Sequence, residues 1–263
     1  MTRSGTLQQY TIHRSGRDSR IDLAAQLRLR PGGIIIWRGL WRPPAISPLT
    51  TPPDASVDAR LQPAPESIAL LILAHGAAAD HRHAHMQSIS EALAHRHIST
   101  LRFNFPYMQA GKPRTDKLET CIESLNNARA IAFAKAAAKP LLMGGHSFGG
   151  RMSSHYGAEY GNDARIDGLI YFSFPLHPGT PDRKRMTPLP QVTVPQLFLS
   201  GTRDKMADPV LFRTVVDELP LASFHLLHTG DHSYKTLIPT RSSGETIYEE
   251  SARVAAEWIA SNF

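Results

Sequence analysis

The stretch LLMGGHSFGGRMSS, residues 141–154, decides how this chain folds. Three apolar residues lead into four glycines that surround His146, Ser147 and Phe148. A plain turn needs one or two glycines, so four of them around one hydroxyl predict a tight, strained turn that exposes Ser147. The pattern of strand, Gly-x-Ser-x-Gly and helix is typical of a nucleophile elbow. An incidental serine in a glycine-rich turn is the alternative, and a phosphate loop is excluded because its lysine and spacing are missing.

Short apolar runs alternate with helical stretches on both sides of this turn. The runs are apolar nearly throughout, as expected for strands buried on both faces of a parallel sheet. They cover residues 68–74, 98–104, 140–144, 166–172, 195–200 and 223–227. Helices are predicted over about 84–96, 116–138, 148–160, 207–218 and 245–261. The alternation predicts an α/β fold with a doubly wound, mostly parallel sheet flanked by helices.

The first 65 residues have a different character. Residues 34–37 and 40–41 look like strands, and residues 42–65 are polar and contain seven prolines, which predicts an extended loop or linker. We therefore predict an N-terminal region, 1–65, with edge strands and a Pro-rich loop, partly irregular. The second region, 66–263, is predicted to be the α/β domain.

Composition narrows the class of protein. The chain has 263 residues, 41% of them hydrophobic, a net charge of +6 and a single cysteine, Cys121, which excludes an internal disulfide. No apolar run is long enough to span a bilayer, and the N-terminus lacks the apolar core of a secretory signal, so we expect a cytoplasmic protein with no membrane partner. The basic residues are scattered and not interleaved with aromatic residues, so we expect no nucleic-acid partner.

A nucleophilic serine needs a base, and the base needs an orienting carboxylate. Catalytic groups of such a sheet follow the carboxyl ends of its strands, in the chain order serine, acid, histidine. Asp204 follows the run 195–200 behind a glycine turn, and His232 follows the run 223–227 in the same way. We predict Ser147, Asp204 and His232 as the catalytic residues. Their rivals are Asp208, Asp231 and His228.

Backbone amides should stabilise the negative charge of an acyl-transfer intermediate. The amide of Phe148, directly after the serine, and that of Ala77, in the loop after the first run, are the predicted oxyanion donors. Candidates for lining the substrate pocket lie in the same loops. They are His75, Gly76, His146, Tyr107 and Phe174.

Five histidines cluster at positions 81, 83, 85, 95 and 97. His81 and His85 have the spacing of two ligands on one helical face, but the glutamate and further ligands of a zinc site are missing. We therefore predict no metal, and a solvated helix face with one or two histidines beside the cleft. No cofactor is indicated, and Cys121 is predicted to be a small packing residue.

These pieces together resemble the α/β-hydrolase superfamily and its dienelactone-hydrolase-like part. The motifs LILAHGAAADHRHAHM, LRFNFPYMQAGKPRTD, LLMGGHSFGGRMSS, LFLSGTRD and TGDHSY look like a narrower family of small hydrolase-like proteins. That family includes testis-expressed protein thirty and also, as a separate member, a regulatory subunit of a histone acetyltransferase complex of the non-specific-lethal type. Many of its members are bacterial. The resemblance covers about residues 65–262, and it implies the triad of Ser147, Asp204 and His232 but no established substrate.

Only about twenty residues separate the runs 166–172 and 195–200, where many relatives insert a lid. We therefore expect no large lid and a fairly open site, suited to small esters, thioesters or lactones. The predicted function is a serine hydrolase with a small-molecule acyl substrate and an acyl-enzyme intermediate. The alternative is an inactive hydrolase-fold scaffold, and the sequence separates neither esterase from thioesterase or peptidase nor one oligomeric state from another.

Overall fold

The computed structural model describes residues 57–136, 139–177, 183–237 and 240–263. In these ranges seven strands alternate with six α-helices. The strands are β1 (Ala59–Gln62), β2 (Ala69–Ala74), β3 (Ile98–Phe103), β4 (Leu141–His146), β5 (Gly168–Phe172), β6 (Gln196–Gly201) and β7 (Ala222–Leu227). The helices are α1 (Ala84–Ala94), α2 (Pro106–Gln109), α3 (Leu118–Phe133), α4 (Phe148–Tyr160), α5 (Pro209–Asp217) and α6 (Ile247–Asn262). Three short 3-10 helices cover Gly161–Ala164, Arg183–Met186 and Leu189–Gln191.

The strands form one sheet in the order β1-β3-β2-β4-β5-β6-β7. All neighbouring pairs are parallel except β1 with β3. From β2 the chain first adds β3 on one side and then crosses back to add β4 on the other side. The direction in which strands are added therefore reverses at β2, and the carboxyl ends of β2 and β4 lie side by side at this switch point. The sheet therefore confirms the predicted α/β class and its mostly parallel topology.

Helices cover both faces of the sheet. Leu70 and Ile72 of β2 belong to the core layer shared with α3, α4 and α5, whereas Leu71 and Leu73 belong to the layer shared with α1 and α6. All six residues of β2 are buried, so the strand lacks the alternation of a half-exposed strand. Cys121 packs in the first layer as predicted, and burial raises the pKa of its thiol to about 12.

The first strand was not predicted. Ala59–Gln62 lies within the segment interpreted as a Pro-rich loop, but it pairs antiparallel with β3 at the edge of the sheet. Its two central residues, Arg60 and Leu61, are exposed, so the strand has no apolar pattern and is held by its backbone ladder. The strands predicted at 34–37 and 40–41 lie outside the described residues.

Other boundaries shift by a few residues. Helix α3 ends at Phe133, where residues up to 138 were predicted, and β4 continues past Gly144 to His146. The ladder continues because Gly145 and His146 pair with Tyr171 and Phe172 of β5. The glycines that suggested an early turn are thus the last residues of the strand.

Two features of the described chain bear on function. Between β5 and β6, in residues 173–195, the described elements are two 3-10 helices, so no large lid is present there. Among the described helices, none has both the length and the apolar character that a bilayer crossing requires.

Replacement of Gly149 by alanine should destabilise the fold. A Cβ there would lie 2.4 Å from the carbonyl oxygen of Ala74 and 2.7 Å from that of His75. Both are backbone atoms, which cannot move away without distorting the chain. We expect a loss of about 1–3 kcal/mol in the free energy of unfolding, measured by urea titration, although alanine favours a helix. Gly244→Ala is the control, because nothing lies within 4 Å of its added methyl. A Gly149→Ala variant as stable as wild type would contradict the close contact.

Candidate active site

Ser147 occupies a strained turn between β4 and α4. Its φ is 49° and its ψ is −110°, a conformation that costs an L-residue on the order of 1–3 kcal/mol. The turn is held by hydrogen bonds from the Ser147 amide to the Phe172 carbonyl (2.9 Å) and from the Arg151 amide to the Ser147 carbonyl (3.0 Å). A Cβ on Gly145 would lie 2.3 Å from the carbonyl oxygen of Ala74, so glycine is required before the turn as well as after it.

The structure brings Ser147, His232 and Asp204 together. Ser147 Oγ lies 2.8 Å from His232 Nε2, and His232 Nδ1 lies 2.8 Å and 3.0 Å from the two carboxylate oxygens of Asp204. The Asp204 side chain is completely buried, whereas that of His232 is 23% exposed. With the proton on Nδ1, the imidazole donates to the carboxylate and accepts from the serine hydroxyl.

Two loops make this meeting possible. Gly201, at the end of β6, and Gly230, after β7, approach so closely that a Cβ on Gly201 would lie 2.1 Å from the Gly230 carbonyl oxygen. The Arg203 amide donates to that same carbonyl at 2.8 Å, and the Thr229 amide donates to Thr202 Oγ1 at 2.9 Å. The loops that carry Asp204 and His232 are therefore joined by backbone contacts.

The alternative acid and base residues make other contacts. Asp208 is the N-cap of α5 and accepts from the amides of Val210 and Leu211. Asp231 accepts from the amides of Ser233 and Lys235, so its carboxylate closes its own turn. His228 is exposed, and its ring lies 3.4 Å from Ser242 Oγ.

The two predicted oxyanion donors lie on adjoining segments. The Phe148 amide is at the first position of α4, where a helix leaves its N–H groups without internal partners. Ala77 is exposed in the loop after β2, and no hydrogen bond in the described part of the chain uses either amide. The contact between Gly149 and the carbonyls of Ala74 and His75 holds the two segments together.

The loop that carries Ala77 is fastened by two buried side chains. His75 Nδ1 donates to the Gly76 carbonyl at 2.8 Å, while its Nε2 accepts from the Phe105 amide at 3.1 Å. Burial lowers the pKa of His75 to about 4, so its ring is neutral and can play both parts. The Tyr107 hydroxyl donates to the Ala77 carbonyl at 3.0 Å.

His146, directly before the serine, lies behind the site. Its Nε2 donates to the carbonyl of His232 at 2.8 Å, so it holds the backbone of the candidate base. A Cβ on Gly76 would lie 2.8 Å from its Nδ1, and the ring of His85 packs edge-on against it at 4.4 Å between centroids. Burial, with the neighbouring charge of His85 next in size, lowers the pKa of His146 to about 3.

The five predicted pocket residues, His75, Gly76, His146, Tyr107 and Phe174, are all buried, and their contact with a substrate stays a prediction. The first four fasten the loops around the serine. Phe174 packs in the core against Tyr171 and Phe198. The sequence correctly predicted that these residues lie at the carboxyl-end edge of the sheet. It contains no signal for which loop side chains point into the protein.

Three of the five clustered histidines form the predicted solvated face, and the other two are buried or half-buried. His81 is buried 3.2 Å from the carboxylate of Asp58, and His85 Nδ1 lies 2.8 Å from the Tyr248 hydroxyl. His83, His95 and His97 are exposed, as expected. Within the described ranges no group of three or more His, Cys, Asp or Glu side chains is arranged to hold a metal ion.

His146→Ala should lower kcat by about tenfold or more on any ester that the protein turns over, with a smaller effect on KM. Loss of the hydrogen bond frees the His232 backbone and removes the donor from its carbonyl. His146→Gln keeps an N–H donor and should restore much of kcat. Wild-type kcat in the alanine variant would contradict this positioning role, and a melting temperature measured for each variant separates it from unfolding.

The free energy of unfolding should fall as pH falls from 6.5 towards 5. Burial holds the pKa of His75 and His85 at about 4 and that of His146 at about 3, whereas their ordinary value is 6.5. In this window the unfolded chain binds protons that the folded chain does not, so acid favours unfolding by about 1.4 kcal/mol per pH unit for each such proton. Urea titrations at several pH values measure the slope, and a flat profile would contradict the buried neutral rings.

Solved structures similar to this chain share its fold. A dienelactone hydrolase from Anabaena variabilis has a TM-score of 0.61 and 15% identity, covering 80% of this chain and 94% of that one. Est1E from Butyrivibrio proteoclasticus with ferulic acid bound has a TM-score of 0.60 and 16% identity, with coverages of 78% and 95%. A serine hydrolase without a lid from Xanthomonas campestris has a TM-score of 0.56 and 17% identity, with coverages of 78% and 87%.

The family comparison covers the domain that carries the site. Residues 67–261 match the family described as Alpha/beta hydrolase domain. This range includes six of the seven described strands, together with Ser147, Asp204 and His232. The elbow after β4 and the chain order of serine, acid and histidine agree with that fold. The chain is a member of the alpha/beta hydrolase domain family.

Proposed function

We propose that this protein is a serine hydrolase that cleaves carboxylic esters, thioesters or lactones through an acyl-enzyme. The observation that carries the proposal is the chain of contacts from Ser147 Oγ to His232 Nε2 and from His232 Nδ1 to Asp204, each 2.8 Å at its shortest. A serine hydroxyl is a weak nucleophile until a base takes its proton, and these distances suit that transfer.

In the first half of the reaction, Ser147 Oγ attacks the acyl carbon while its proton passes to His232 Nε2. The buried carboxylate of Asp204 stabilises the imidazolium that forms and fixes the ring orientation. The amides of Phe148 and Ala77 donate to the oxygen that becomes negatively charged. The imidazolium then gives its proton to the leaving group, and the acyl group stays on Ser147.

In the second half, water takes the place of the leaving group. His232 removes a proton from the water as it attacks the acyl carbon, and returns that proton to Ser147 Oγ when the acyl-enzyme breaks down. The product is a carboxylic acid, and the enzyme regains its starting state. Each step uses the same base and the same oxyanion donors.

The open surroundings of the site support small substrates. In the described part of the link from β5 to β6 there is no large lid, and His232 is partly exposed, which supports access of a substrate to the serine without prior movement of a helical cap there. Among the similar solved structures, one is named a dienelactone hydrolase and another, Est1E, has ferulic acid bound. We propose a small-molecule acyl substrate and a cytoplasmic location.

A fluorophosphonate probe should label the wild-type protein, and Ser147→Ala should abolish the labelling. The same change should lower kcat on short p-nitrophenyl esters by about 10⁶-fold, because no other group replaces the nucleophile. In-gel fluorescence measures the first effect and release of p-nitrophenol the second.

Ser261→Ala is the matched control, since Ser261 is exposed at the end of α6 and its hydroxyl donates to the Glu257 carbonyl of the same helix. It should label like wild type. Persistent labelling of Ser147→Ala would contradict the assignment of the nucleophile. An unlabelled wild-type protein that co-purifies with a stable partner would instead favour the scaffold role, and with it the narrower resemblance to the acetyltransferase-complex subunit.

A further inference from the structure

One strip of helix α4 is open to solvent, and it begins at the candidate nucleophile. Seven of the thirteen residues of α4 are buried. The partly or fully exposed ones include Arg151, His155 and Glu159, which follow Ser147 at intervals of four residues. Residues four apart lie on one face of a helix, so these side chains form a row that leads away from the serine. We call this row the α4 strip.

Arg151 is the first side chain of the α4 strip, and no residue that the structure describes pairs with its charge. Its Nε is buried and makes no hydrogen bond to any described residue. No carboxylate in the described ranges lies within ion-pair distance of its guanidinium. A half-buried cation without a counter-charge is costly, and folded proteins normally pair such groups. Arg151 therefore offers an unpaired positive charge to an anion from outside the described chain.

A second cation lies near Arg151. Arg185, on the 3-10 helix Arg183–Met186, is half-buried and likewise forms no ion pair with a described residue. Burial lowers the pKa of Arg151, and the nearby positive charge of Arg185 lowers it further. An anion between them would relieve that repulsion and satisfy donors on both.

The position of Arg151 suits a group attached to the substrate of Ser147. Four residues along a helix correspond to about 6 Å, and helical side chains incline towards the N-terminus, here towards the serine. Further along the α4 strip is an open cavity of about 310 Å³ that His155, Ala158 and Pro188 help to line. Glu159 also lines this cavity, so an anion is favoured beside Arg151 and disfavoured deeper.

We propose that Arg151, together with Arg185, binds a carboxylate on the substrate that Ser147 attacks, so that the preferred substrates are short esters bearing a negative charge. This inference rests on the proposed hydrolase function and names its substrate class. A planar guanidinium can form two parallel hydrogen bonds with a carboxylate, which fixes the direction of the substrate as well as its affinity.

The test compares matched pairs of esters, with the charge on either side of the scissile bond. One pair is p-nitrophenyl butyrate and p-nitrophenyl hemiglutarate, and the other is phenyl butyrate and 4-carboxyphenyl butyrate. In at least one pair, kcat/KM of wild type should favour the charged ester by about tenfold or more. Arg151→Gln should remove that preference, mainly through KM, and Arg151→Lys should restore part of it.

Arg213→Gln is the control, because Arg213 is an exposed arginine on α5 and its loss changes net charge equally. It should leave the preference as in wild type. Wild-type protein that labels with the fluorophosphonate but prefers the neutral ester in both pairs would overturn the anion subsite alone. An unlabelled wild type would overturn the hydrolase function and this inference with it. Melting temperatures of the variants identify any that fail to fold.

Discussion

The rest of the site depends on one backbone contact, between the carboxyl end of β2 and the start of α4. Gly145 and Gly149 stand on either side of Ser147, and a methyl group at either position would enter the Ala74 carbonyl. Without that approach, the strained turn at Ser147 would lose its packing against β2, and the Phe148 amide would move away from the loop that carries Ala77. The glycine spacing is thus a steric requirement on two neighbouring strands as well as a feature of one turn.

Buried polar groups make the contact rigid and lower stability in acid. His75 joins the loop after β2 to the Phe105 amide, and His146 joins the elbow to the His232 backbone. Both rings are neutral because burial disfavours their charged forms, so each can serve as a fixed donor without bringing a positive charge beside the candidate base. Four segments that are distant in sequence are held in two hydrogen-bonded pairs in this way, which is the preorganisation that acyl transfer requires.

Most of the fold, and the meeting of Ser147 with Asp204 and His232, could be predicted from sequence because each depends on local patterns. Fully apolar runs predict buried parallel strands. A glycine turn after such a strand indicates the carboxyl end of the strand, where the catalytic groups of this kind of sheet lie. The edge strand Ala59–Gln62 was missed because its ladder is made by the backbone and its side chains show no apolar pattern. The inward orientation of His146 and Tyr107 was missed because it is decided by contacts with residues 232 and 77, distant along the chain.

The single thiol of the chain gives the fold a built-in reporter. Cys121 is fully enclosed in the layer between the sheet and α3, and its pKa of about 12 keeps it protonated at neutral pH. A thiolate attacks a disulfide reagent, so this sulfur reacts with such a reagent only when that layer opens. The rate of thiol modification therefore measures how readily this core layer opens. Helix α4 packs against the same layer, and the measurement needs no engineered label.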